Sequence, residues 1–112
     1  MISESKLHEI NQLKNQSDEL KELIRGLAEN IRGNLRKYAP IEMRLSDNTQ
    51  IYITSEGYIK LNDIWIDLTN LNHVETLFSI LPDMLGYLHN KYKKEIEYCS
   101  KLKDYLDVLF LL

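Results

Sequence analysis

The sequence holds a single cysteine, Cys99, so it has no internal disulfide framework. Glycine occurs four times and proline twice. Gly26 and Gly33 fall inside a helical pattern and Gly57 in a turn, which leaves no Gly-rich loop to cradle a phosphate. No run of about 18 apolar residues occurs, so nothing is long enough to span a bilayer. The most apolar stretch, Val108-Leu109-Phe110-Leu111-Leu112, is far shorter. Met1-Ile2-Ser3-Glu4-Ser5-Lys6 has no apolar run behind a basic start and does not read as a secretory leader. The expected location is the cytoplasm, or the host cytoplasm if the protein is virus-encoded.

Chemical motifs are equally scarce. His8, His73 and His89 stand alone, without the spacing of metal ligands, and no cofactor is implied. Cys99 lies on an apolar helical seam, where a small buried thiol is expected. The carboxylate pairs Asp18/Glu22 and Glu95/Glu97 have lysines close by and read as solvated surface. The chain is therefore expected not to be an enzyme.

What the chain does have is leucine and isoleucine, 31 residues of 112. Their spacing organises it as one domain, residues 1–112. Over residues 3–38, Ile10, Leu13, Ser17, Leu20, Ile24, Leu27 and Ile31 alternate three and four apart. That is heptad spacing with Ile at a and Leu at d, the choice that favours parallel dimers. Leu7, Leu23 and Leu35 widen the stripe, Ser17 and Asn34 interrupt it, and Tyr38 keeps its phase. Ala39-Pro40 ends the pattern, because proline cannot donate the next helical bond and pushes its predecessor out of the α region.

Residues 41–68 change to a period of two. Ile41, Met43, Leu45, Ile51 and Ile53 alternate with polar positions; Ser46-Asp47-Asn48-Thr49, Ser55-Glu56-Gly57 and Asn62-Asp63 supply turn chemistry. The expectation is an antiparallel meander of three or four short strands, apolar on one face, with Tyr52, Tyr58, Lys60, Trp65 and Asp67 on the other.

From residue 71 to 111 the helical period returns. Leu71, Val74, Phe78, Leu81, Leu85, Leu88, Tyr92, Cys99, Leu102, Leu106 and Leu109 hold one heptad phase, with Glu95 out of place and Ile96 beside the gap. Asn70 or Asn72 is a candidate cap. Pro82 predicts a kink or a break, with a short helix before it and a long one after. The fold class is thus α+β: a long N-terminal helix, a small meander and a long C-terminal helix, with coiled-coil-like packing. The layout is similar in outline to prefoldin-type chaperone subunits, which also place a hairpin between two coiled-coil helices; the likeness is of topology, and no site residue is carried across.

Three functional expectations follow. The first is a protein-binding regulator, inhibitor of the viral or mobile-element kind, or assembly factor. It would self-associate as a homodimer or higher homo-oligomer through Ile10, Leu13, Leu20, Ile24, Leu27, Ile31, Leu102, Leu106, Leu109 and Phe110. It would bind another protein through Tyr52, Tyr58, Lys60, Trp65 and Asp67, since Trp and Tyr dominate binding hot spots. The second is a nucleic-acid-associated regulator using Arg25, Arg32, Arg36, Lys37 and Arg44 as a basic stripe, a weaker reading in a chain of net charge −3. The third is an oligomer that sequesters a small ligand between subunits.

Overall fold

A computed structural model describes residues 3–112; Met1 and Ile2, the start of the stretch read above for a leader, lie outside the described residues. Helix α1 spans Glu4–Leu35. The Ser3 hydroxyl caps it by accepting from the Lys6 amide at 3.5 Å, satisfying one of the amides that a helix start leaves unpaired. It ends three residues earlier than the heptad pattern suggests. Residues 36–38 form turns that lead into a cis Ala39-Pro40 peptide.

Four strands follow, β1 (Ile41–Arg44), β2 (Gln50–Ile53), β3 (Ile59–Leu61) and β4 (Ile64–Trp65), antiparallel and in sequence order. Each turn is made by the residues the sequence marks for it. Asn48 and Asn62 take positive φ, 66° and 52°, and Gly57 takes 88°, the region where Asn and Gly are least penalised. Asn62 also ties the β3 end to β2: its amide donates to the Gln50 carbonyl at 2.7 Å, and its Oδ1 accepts from the Gln50 amide at 3.0 Å.

Alternation puts Ile41, Met43, Leu45, Ile51, Ile53, Ile59 and Leu61 on one buried face. Helix α2, Leu71–Phe110, lays its first half on that face through Leu77, Ile80, Met84, Tyr87 and Leu88. Asn70 caps α2, its Oδ1 accepting from the Asn72 and His73 amides at 3.0 and 3.3 Å. Leu35 and Ala39 close the α1 end of the core. Ile64 pairs with Leu61 on the same side but sits at the sheet edge and stays 58% exposed, so the apolar face is not sealed throughout.

Of the kink or break expected at Pro82, the break does not occur, for the helix runs through that residue; Pro82 is exposed, and the helix around it is held by Ile80 and Met84 against the sheet. The two long helices do not pack on each other within the chain. Helix α1 meets the sheet at its C-terminal end and α2 at its N-terminal half. The molecule measures 92 × 31 × 19 Å, whereas a hairpin of helices could be little longer than α2, about 60 Å at 1.5 Å per residue. The far ends of α1 and α2 therefore lie at opposite ends of the long axis. The radius of gyration, 22.6 Å, compares with about 13 Å for a compact chain of this length. Among the described residues, no helix is long and apolar enough to cross a membrane.

Candidate functional site

The outer face of the sheet is built by register. Glu42 pairs with Tyr52, Tyr52 with Lys60, and Lys60 with Trp65, so these four side chains form one row across all four strands. Neighbours in such a row lie about 5 Å apart at Cβ and interact directly. The Lys60 ammonium sits 5.5 Å from the centre of the Trp65 ring, within the range of a cation–π contact. Tyr52 is 36% and Trp65 53% exposed. Arg44 pairs with Gln50 in the next row. Glu42, Arg44, Gln50, Tyr52 and Lys60, with Asn62 and Asp63, line a concavity of about 570 Å³, and Trp65 stands outside it. Its rim at the β1 edge is fixed by the Tyr87 hydroxyl, which donates to the Glu42 carbonyl at 3.3 Å.

Three of the five expected partner-binding residues thus come together: Tyr52, Lys60 and Trp65. The other two lie one row further on the same face, beyond the Ile53–Ile59 pair, and are tied to local partners. Tyr58 lies in the β2–β3 hairpin beneath the Arg32 guanidinium, 5.3 Å from its ring centre, and serves the junction with α1. Asp67 organises a turn. Its Oδ1 accepts from the Thr69 amide at 2.9 Å and from the Thr69 hydroxyl at 2.6 Å; those bonds hold its carboxyl below the ordinary aspartate range, with smaller help from the charges of His73 and Arg32. Its own amide donates to His73 Nδ1 at 3.0 Å. Sequence reading omitted Glu42, although its parity with Arg44 and its place opposite Tyr52 mark it for the same face.

The expected basic stripe is divided among other tasks. Arg25, Arg32 and Arg36 share one side of α1, but Arg25 pairs with Glu22 and Arg32 with Glu29. Arg36 Nε donates to the Glu56 carbonyl at 3.0 Å. Arg32 and Arg36 therefore fasten α1 to the hairpin tip, while Lys37 lies past the helix end and Arg44 stands on the outer sheet face.

The expected oligomer residues are all exposed: Ile10, Leu13, Leu20, Ile24, Leu27 and Ile31 on α1, and Leu102, Leu106, Leu109 and Phe110 on α2. Among the described residues, none covers these stretches of the two seams. Cys99, expected to be buried, is exposed for the same reason. Over the sheet, α2 turns its Leu77/Met84 side to the core and leaves Leu71, Phe78 and Leu85 in water, while Val74, Leu81 and Leu88 of the same seam are partly buried, so the seam is fully exposed only beyond the sheet, over residues 93–112. Where α2 leaves the sheet, Leu85, Leu88, Tyr92 and Ile96 border an apolar groove of about 650 Å³ with Leu35, Tyr38, Ile41 and Ile53. Among the described residues, no three His, Cys, Asp or Glu side chains converge to hold a metal ion.

Compared with family models, with curated proteins and with solved structures, the chain finds no match in any of the three.

Proposed function

We propose that this chain is a non-enzymatic, cytoplasmic protein-interaction subunit. It assembles with copies of itself through its long helices and engages another protein with the outer face of its sheet, regulating that partner by occupying its surface. One observation carries the reading: the outer stretches of two apolar helical seams, residues 4–27 and 93–112, project to opposite ends of a 92 Å molecule and are exposed throughout. The chain exposes 9386 Å², against about 6,400 Å² for a compact monomer of this mass. Surface of that kind, apolar and periodic, is what helix association removes from water.

The outer face supports the second half of the reading. Tyr52 and Trp65 supply exposed rings, with Glu42, Lys60 and Arg44 as charged neighbours of both signs, the composition of a protein-binding patch rimmed by polar groups. Nucleic-acid binding has less support, because Arg32 and Arg36 are spent on the α1–hairpin junction. Affinity capture from the native cell tests the outer face. A partner held by the wild type and lost by Tyr52→Ala/Trp65→Ala, with the helical circular dichroism intact, is the expected result. A partner held equally by both removes the sheet face from the proposal.

A further inference from the structure

Resting on the self-association just proposed, the geometry points to one occupant for the α1 seam: we infer that it is covered by α1 of a second copy, running parallel and in register as a two-stranded coiled coil. The surface argument sets the scale. The chain exposes about 3,000 Å² more than a compact monomer of its mass, and obligate homodimers bury about 2,000–5,000 Å² in total. A second copy supplies a matching excess.

Orientation follows from the positions beside the seam. With Ile10 at a and Leu13 at d, the flanking e positions of α1 are Leu7, Lys14, Lys21, Ala28 and Leu35, and the g positions are Glu9, Gln16, Leu23 and Asn30. In an antiparallel pair e faces e, which sets Lys14 and Lys21 of one copy against the same lysines of the other. Pairing α1 with the free half of α2, antiparallel, adds Lys103 to the same row. In a parallel pair each g meets the e five residues on in the partner. Glu9 then meets Lys14, Gln16 meets Lys21, and no like charges are opposed.

Register follows from Ser17, the single polar residue among the a positions from Ile10 to Ile31. A lone polar a residue is least costly opposite its own copy, so it penalises every slipped alignment. The fold keeps this seam open along its length. The hairpin touches α1 on the side of Ala28, Arg32 and Arg36, and Ile24, Leu27 and Ile31 remain exposed beside it.

The test is disulfide trapping in a Cys99→Ser background, with light scattering of the full-length protein. Ser17→Cys and Ile31→Cys are expected each to form covalent dimers under oxidised glutathione at least ten-fold faster than Asn15→Cys, whose position lies on the far side of the coil. Trapping at one position and not the other means an antiparallel α1 pair; it overturns the orientation and leaves self-association standing. A dimer that traps at neither position overturns α1 as the occupant. A monomeric mass at about 10 µM overturns this inference and the self-association together, while leaving the sheet-face capture result untouched. Because Ile31→Cys alters a seam residue, a surface exchange gives an independent reading. Glu9→Lys is expected to raise the dimer Kd about three-fold at low salt, and adding Lys14→Glu is expected to restore it; no effect of either exchange overturns the parallel pairing.

Discussion

The centre of the molecule and its two arms are built from the same residues, leucine and isoleucine, to opposite ends. In the centre, six strand residues, Leu45 and Met84 form one buried cluster. In the arms, residues 4–27 of α1 and 93–112 of α2, every described side chain is exposed. The centre closes because a period of two gives a flat face, and the 3.6-residue period of α2 lays a stripe across it. The arms carry a period of three and a half, which suits another helix and not a sheet, and the chain offers them none. Apolar content therefore does not set burial here; the match between periods does.

The sharpest way to break that comparison is to truncate one residue in each region. Ile51 is 2% exposed in the middle of β2. Ile51→Ala removes its contacts and leaves a cavity, with an expected loss of about 2–5 kcal/mol of unfolding free energy. Leu20→Ala in the α1 arm leaves no cavity in the isolated chain. Its cost is expected to appear only as self-association proceeds, so the difference in Tm from wild type should vanish on dilution, as mass action requires. A Leu20→Ala penalty that is independent of protein concentration would show that the arm is packed within its own chain.

A smaller effect is expected where arm and centre join. Gly57 has φ +88°, and a Cβ there would run into the Arg32 carbonyl of α1. Gly57→Ala combines backbone strain with a steric clash, each worth about 1–3 kcal/mol. Helix α1 relieves the clash by moving off the hairpin, which also breaks the Arg36–Glu56 bond and the Arg32–Tyr58 contact. The expected signature is a loss of about 2–3 kcal/mol with faster amide exchange in residues 28–35 and little change in β1–β3.

These three sites also show how far the sequence could be read. The alternation of Ile41, Met43, Ile51 and Ile53 specified the strands, and Gly57 and Asn62 specified the turns, because those constraints act over a few residues. The heptads specified two helices but not their directions. Direction depends on how the end of α1 seats against the hairpin, through Arg32 and Arg36, whose spacing looks equally like a free basic face. On the outer face, Tyr52, Lys60 and Trp65 were legible from parity alone. Tyr58 and Asp67 share that polar character and were diverted by local partners, the Arg32 guanidinium and the Thr69 amide, which parity does not encode.

The finest distinction between centre and arm lies in two carboxylates. Both Asp67 and Asp18 are held below the ordinary aspartate value, about 3.9, for different reasons. For Asp67 the chief cause is hydrogen bonding from Thr69; for Asp18 it is the hydrogen bond from Lys14, followed by the charge of the same lysine, 2.9 Å away. A depressed folded-state pKa contributes stability above the unfolded value and loses it as pH falls through the folded value, so both groups weaken the protein only below about pH 4. Salt separates them. At about 1 M the screening length is near 3 Å, so the Asp18 pKa is expected to rise toward its ordinary value while that of Asp67 changes little. Carboxyl-carbon NMR titrations at low and high salt read both at once. Equal salt shifts would mean that the Asp67 turn is held by the surrounding charges of Arg32 and His73 and not by the Thr69 bonds, and the centre would then be as open to solvent ions as the arm.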